Sequence, residues 1–387
     1  MTAMHAIRRI HWTTLLRELP IVIGLITGVA VIAHWSPSGD PSTGAGLRWS
    51  LWLVACILTC SFRAMAHADA LAERLGEPVG TLILTISAIT IEVAAVCAVM
   101  LGSGGDPTVA RDTMFAVIML IMNLLTGLAM ICGGWRRAEQ DFNAQSAKAY
   151  LPLLITLCMI TLVLPRFTRS AEGGWMSEPM EIFVGGGSLA VYAAFLWMQT
   201  TRHREFFAFH RTSERAQEAV LEAHEAGEVH VHTPAARSAT LLVLALLAVV
   251  LIAEGLAGRV STLLHTLHIP REIGGVFIAA LVLAPEGLAA LRAAARQDMQ
   301  RSVNVLLGSA LATIGLTVPA VIAIRFLTAN SPELGLTPPY IVLLVTTFLV
   351  TAINMSRGKV NAMGGLVHLL LFLAWIATIL DEGSVKR

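Results

Sequence analysis

The sequence predicts an all-α polytopic membrane protein, and three observations predict it. Of its 387 residues 56% are apolar and only 14% charged, where a soluble globular domain carries about 25% charged residues. Apolar runs of roughly 17 to 25 residues recur, long enough to cross a hydrocarbon core. Polar breaks separate these runs into eleven candidate helices. An all-soluble enzyme is excluded on this composition. The 27 basic and 26 acidic residues nearly cancel, so no overall basic field exists to hold nucleic acid.

The first run, 20–35, follows Arg8, Arg9 and Arg17 as a signal peptide would. Its end, His34-Trp35-Ser36-Pro37, has no small-x-small cleavage site, so it reads as a retained span. Spans at 48–66, 78–101, 112–134, 150–164 and 181–199 come next, then one long polar segment at 200–238. Spans at 239–257, 273–295, 301–326, 337–354 and 360–380 complete the chain. The predicted organisation is therefore 1–47 as N-terminal segment and first span, 48–199 as a first repeat, 200–238 as a linker and 239–387 as a second repeat. Cys56, Cys60, Cys97, Cys132 and Cys158 all lie inside apolar runs with no CxxC pair, which reads as small buried hydrophobes rather than a metal site.

Sidedness follows from the basic residues, which accumulate in cytoplasmic loops. With the N-terminus inside, the inner segments hold 18 of the 27 Lys and Arg and the outer ones 9. The expectation is a multi-pass protein of the cell inner (plasma) membrane with its N-terminus cytoplasmic and its C-terminus outside. The 200–238 linker is then cytoplasmic. In it Glu214, Glu218, Glu222 and Glu225 recur at helical spacing, which places the carboxylates on one face of an acidic, His-rich helix. That face is either a solvated linker or a regulatory cation sensor.

Two segments repeat. Ala68-Asp69-Ala70-Leu71-Ala72-Glu73-Arg74 and Ala253-Glu254-Gly255-Leu256-Ala257-Gly258-Arg259 share one pattern, and in the next span of each half a single glutamate lies near the centre, Glu92 and Glu286. Polar and small residues follow in the span after: Asn123, Thr126 and Gly127 in the first half, and Gly308, Ser309, Thr313 and Gly315 in the second. A duplicated five-span unit reverses its orientation, so the halves would be inverted repeats bringing Glu92 and Glu286 together near the midplane.

An ionised acid at the bilayer centre costs roughly 2.5 to 3.5 kcal/mol or more, and no Lys or Arg lies in the middle of any of these spans. The pair must stay protonated, bind a cation, or alternate between the two. Alternation couples a cation flux to a proton flux by competition alone. Ser309, Thr313 and Asn123 would add neutral oxygens suited to a hard cation, and Pro285 frees a helix carbonyl beside Glu286. Two carboxylates match a divalent charge. Asp69 and Glu254, with His67 as a proton relay, would stand behind these ligands or along the way in. No His-Glu-x-x-His or Gly-x-Ser-x-Gly run is present, so an intramembrane enzyme is a distant alternative, as is a channel.

The chain resembles the cation/proton exchangers (CAX) of the sodium/calcium exchanger superfamily, in detail the bacterial ChaA-type calcium or sodium-potassium/proton antiporters. The resemblance rests on Leu75-Gly76-Glu77-Pro78 through Thr85 and Ile91-Glu92-Val93, on Ala284-Pro285-Glu286, and on the run from Arg301 to Ala320. It implies one leading helix, two inverted five-helix repeats and an acidic helix between them. The family's Gly-Asn-x-x-Glu glutamates, which bind the cation and exchange it for protons, map onto Glu92 and Glu286. The Gly-Asn dipeptides do not match, since Ala88-Ile89 and Val282-Leu283 stand there. Ca2+/H+ exchange that expels cytoplasmic Ca2+ by alternating access is the expected activity, with Na+(K+)/H+ antiport as the alternative. No cofactor is expected beyond the transported Ca2+, Na+ or K+ and H+. The expected partners are inorganic cations, protons and the lipid bilayer, with no nucleic acid; the sequence leaves the oligomeric state open.

Overall fold

The computed structural model describes residues 2–35, 41, 43–75, 86–87, 89–90, 92–93, 96, 107–135, 137–168, 173–201, 235–270, 272–328 and 331–385. Among them the chain is a bundle of long helices: α1 (Thr2–Ile32), α2 (Gly44–Leu75), α3 (Val109–Gly134), α4 (Ala144–Arg166), α5 (Glu178–Thr200), α6 (Ala235–Thr266), α7 (Glu272–Ala295), α8 (Met299–Phe326), α9 (Pro338–Met355) and α10 (Ala362–Val385). Nine helices among the described residues are long and apolar enough to cross a membrane. The third predicted span is described only at separate helical positions between 86 and 96. Glu214, Glu218, Glu222 and Glu225 lie outside the described residues.

Helix starts follow from local chemistry. The Thr43 hydroxyl accepts from the Gly46 N–H at 3.2 Å, the Asn143 side chain accepts from Gln145 N–H at 2.9 Å, and Asp298 accepts from Arg301 N–H at 3.3 Å. Each satisfies a donor that the first turn leaves open. The span predicted at 150–164 begins at Ala144 because the Asn143 cap and Ala147 extend it below the apolar run. One feature has no counterpart in the predicted elements: a two-stranded antiparallel clasp, β1 (Gln140–Asp141) against β2 (Lys359–Val360), joins the α3–α4 and α9–α10 connections.

Three helices change from α to π winding part way along: α3 at Leu120–Leu125, α4 at Met159–Val163 and α8 at Thr313–Thr317. In α3 the Thr126 hydroxyl donates to the Ile121 carbonyl at 2.8 Å. Such bulges leave carbonyls and side chains aimed off the regular ladder and recur at functional sites.

Among the described residues the apolar interior falls into two large clusters and a small third one of Ala257 and Ile278. One core is built from α3, α4, α5, α8, α9 and α10 with much of α7. The other joins α1, α2 and α6, and takes in Leu281 of α7. Outward-facing side chains such as Phe183, Val243, Val342, Ile353 and Leu370 are large, apolar and exposed, as expected of surfaces turned to lipid tails.

Candidate cation site

α8 organises the site. Ser309 and Thr313 stand four residues apart and so share one helix face, about 6 Å apart along the axis. The Ser309 hydroxyl donates to Glu286 Oε2 at 2.5 Å, and the Thr313 hydroxyl donates to Glu92 Oε2 at 2.9 Å. One helical turn therefore holds both glutamates, one from each predicted repeat. Thr313 also lies 3.0 Å from the Ser309 carbonyl, so the back-bond usual for a helical threonine is shared with the carboxylate. Thr313 opens the π segment of α8.

Glu92 is buried, and its Oε1 has no hydrogen-bond partner among the described residues. Glu286 follows Pro285 inside α7. The next residue, Gly287, brings α7 against α3: an added Cβ would lie 2.9 Å from Leu125 Cδ2. On the other side of α8, an added Cβ at Gly308 would meet the Tyr150 hydroxyl at 3.6 Å, and Gly315 packs directly on Tyr192. Small residues on α7 and α8 thus let α3 and the aromatic rings of α4 and α5 pack close beside the site residues.

Four of the five residues expected at the site are brought together: Glu92, Glu286, Ser309 and Thr313. The fifth is not. Asn123 is fully buried, but its amide donates to Thr347 Oγ1 on α9 at 2.9 Å and its carbonyl oxygen meets His368 Nδ1 on α10 at 3.3 Å. Asn123 lies within the π segment of α3, and its partners there are on α9 and α10. Thr126 likewise bonds its own helix.

His67, expected as a proton relay, is buried and sits 2.9 Å from Glu18 Oε2 of α1, where Arg63 Nη2 also donates to Glu18 Oε1 at 2.6 Å. It ties α1 to α2 and makes no hydrogen bond to either site carboxylate. Asp69 is exposed on α2, and Glu254 lies on α6 with its side chain outside the described set.

Sequence reading passed over Thr347, His368 and the ion pair of buried Glu181 with the partly exposed Arg325, which joins α5 to the end of α8. His368 carried a usable signal, since a polar ring within an apolar span needs a partner. Among the described residues no three His, Cys, Asp or Glu gather into a metal cluster. The site consists of two carboxylates with two hydroxyls.

Comparison with known proteins places the chain in a family. The family profile described as sodium/calcium exchanger protein matches residues 46–201 and 237–380. A sodium-potassium/proton antiporter, ChaA, of Escherichia coli is 36% identical over 327 residues, covering 84% of this chain and 86% of its own length. A proposed ionic transporter of Sinorhizobium fredii is 37% identical over 316 residues, covering 81% and 84%. The crystal structure of the H+/Ca2+ exchanger CAX superposes with a TM-score of 0.69 at 14% identity, covering 96% of this chain and 91% of that one, which is a likeness of fold. With the family profile spanning both halves and relatives above a third identical over most of their length, the chain belongs to the sodium/calcium exchanger family.

Proposed function

We propose that the protein is a secondary cation/proton antiporter of the cell inner membrane that expels cytoplasmic Ca2+ in exchange for entering protons. The observation that carries this reading is the joining of Glu92 and Glu286 through one turn of α8. Two buried carboxylates so close cannot both stay ionised without a counter-charge. A divalent cation neutralises both, and two protons do the same. Because the two cargoes compete for the same oxygens, only one is carried at a time, and this makes transport an exchange. Cation affinity therefore falls as pH falls.

The separation of the interior into two large cores supports alternating access. α1, α2 and α6 pack chiefly on one another, so they form a body able to shift against the helices that hold the site. In the proposed topology the N-terminus is cytoplasmic and the C-terminus outside, with spans two to six and seven to eleven as inverted repeats. Asp69 and Glu254 then lie toward opposite ends of the cation route.

A second reading, Na+(K+)/H+ antiport, is favoured by one specific observation. The Asn123 amide points to Thr347 and His368, leaving the glutamates with hydroxyl partners, and a monovalent ion needs fewer strong oxygens than Ca2+. The 36% identical relative is also named for sodium and potassium. Proteoliposomes with an imposed pH gradient, supplied with Ca2+, Na+ or K+ in turn, test both. Gradient-driven Ca2+ uptake is expected. Movement of Na+ or K+ alone would select the second reading, and cation flux without counter-movement of protons would overturn both.

A further inference from the structure

Away from the two site carboxylates, Asn123, Thr347 and His368 form a buried polar contact where α3, α9 and α10 meet. All three residues are 0% exposed. The Asn123 amide nitrogen donates to Thr347 Oγ1 at 2.9 Å, which orients the amide. Its carbonyl oxygen then faces His368 Nδ1 at 3.3 Å. An oxygen only accepts, so Nδ1 carries the ring proton and Nε2 bears a lone pair. That Nε2 is buried and has no hydrogen-bond partner among the described residues.

A buried acceptor left unpaired destabilises a protein, so the Nε2 end of the ring carries a cost that the Nδ1 end must offset. What the ring supplies is its other nitrogen, a donor reaching the π segment of α3. The backbones confirm how closely α10 is seated there: an added Cβ on Gly127 would lie 2.8 Å from the Gly365 carbonyl oxygen and 3.2 Å from His368 Cβ. The same π segment, Leu120–Leu125, ends at Leu125, the residue against which Gly287 packs. Gly287 follows Glu286. A contiguous path of contacts therefore runs from His368 and Thr347 through Asn123 to Leu125, Gly287 and Glu286.

We propose that His368, with Thr347, is a positioning residue for cation binding, a neutral strut that fixes the π segment of α3 and through Leu125 and Gly287 sets where Glu286 stands. The ring meets Asn123 and the Met122 backbone, and Asn123 in turn meets Thr347 and Met119; all of these are uncharged, so they supply no counter-charge for an imidazolium and His368 acts by geometry. This inference rests on the antiporter reading above, because its consequence is read in cation affinity.

The test uses the full chain in proteoliposomes, with cation KM and maximal rate measured separately. His368→Leu and Thr347→Val are expected to raise KM about fivefold, the size of one lost buried hydrogen bond, while maximal rate changes less than about twofold. His368→Gln, which keeps a donor, and Thr347→Ser, which keeps the hydroxyl, are expected to restore KM. Unchanged KM in both His368→Leu and Thr347→Val would overturn the proposal. So would a Gln variant as impaired as the Leu variant, because volume alone would then matter. Should His368→Leu not insert, the Val and Ser pair at Thr347 decides in the same way. Wild-type protein showing no exchange would instead sink the antiporter reading itself, so the two failures are distinguishable.

Discussion

Glu92 and Glu286 differ in how they are held, and the difference shapes what substitution should do. Glu92 keeps a buried oxygen without a hydrogen-bond partner among the described residues, while Glu286 is gripped by Ser309 at 2.5 Å. Glutamine at either position is neutral at every pH and releases no proton, so Glu92→Gln and Glu286→Gln should each abolish pH-gradient-driven uptake while the protein still inserts. Normal uptake by both variants would refute the assignment. Hydrogen bonds to charged groups contribute about 1.5 to 3 kcal/mol. Thr313→Val, nearly the same shape, should therefore weaken cation binding by at least about tenfold, measured by titration calorimetry; unaltered binding would show that Thr313 serves only its own helix. The sequence singles out both acids and both hydroxyls, which the structure joins by hydrogen bonds, because an acid in an apolar span followed by Ser and Thr at i, i+4 spacing stands out from its surroundings. It groups Asn123 with them, whereas the structure bonds Asn123 to Thr347 and His368; the direction of a side chain in a π segment is invisible in a 3.6-residue pattern.

Among the elements, α8 carries the most. Its first half presents Ser309 and Thr313, its π segment admits Tyr192 beside Gly315, and near its end Arg325 pairs with the buried Glu181 of α5. Removing one partner of a buried pair leaves an uncompensated charge and costs about 3 to 5 kcal/mol. Arg325→Met should accordingly lower the thermal unfolding temperature in detergent well below wild type, with partial recovery in the double variant that adds Glu181→Gln. A single variant as stable as wild type would remove the ion pair from the account of how α5 is held. α3 and α10 make a second demand: an added Cβ on Gly365 would sit 2.6 Å from the Gly127 carbonyl oxygen. Gly365→Ala should force the two helices apart and destabilise by about 1 to 3 kcal/mol, visible in the same melting assay. Helix existence and order were legible because long apolar runs have one structural meaning in lipid. The β1–β2 clasp and the π segments were not, since both depend on which connections meet in space.

For the whole molecule, the two large cores and the interposed polar linker are the features that bear on mechanism. If the linker senses cations, deleting 212–230 should change the pH or cation dependence of transport and leave basal exchange intact; complete loss of transport by a normally folded deletion would count against a regulatory role. The sidedness drawn from 18 inner against 9 outer basic residues predicts that protease added outside sealed cells removes a C-terminal tag and spares an N-terminal one.

The amino-acid sequence by itself determined the class of fold and the family, and it singled out the two intramembrane acids. Hydrophobic length and isolated intramembrane charge are local properties, each carrying a large free-energy cost if misplaced. Only the tertiary structure decided that one turn of α8 serves both glutamates, that Asn123 turns away to Thr347 and His368, and that α1, α2 and α6 form their own core. Those outcomes depend on helix rotation and on contacts between residues as many as 245 positions apart in the chain. Packing of whole faces settles such contacts, and no local pattern encodes them.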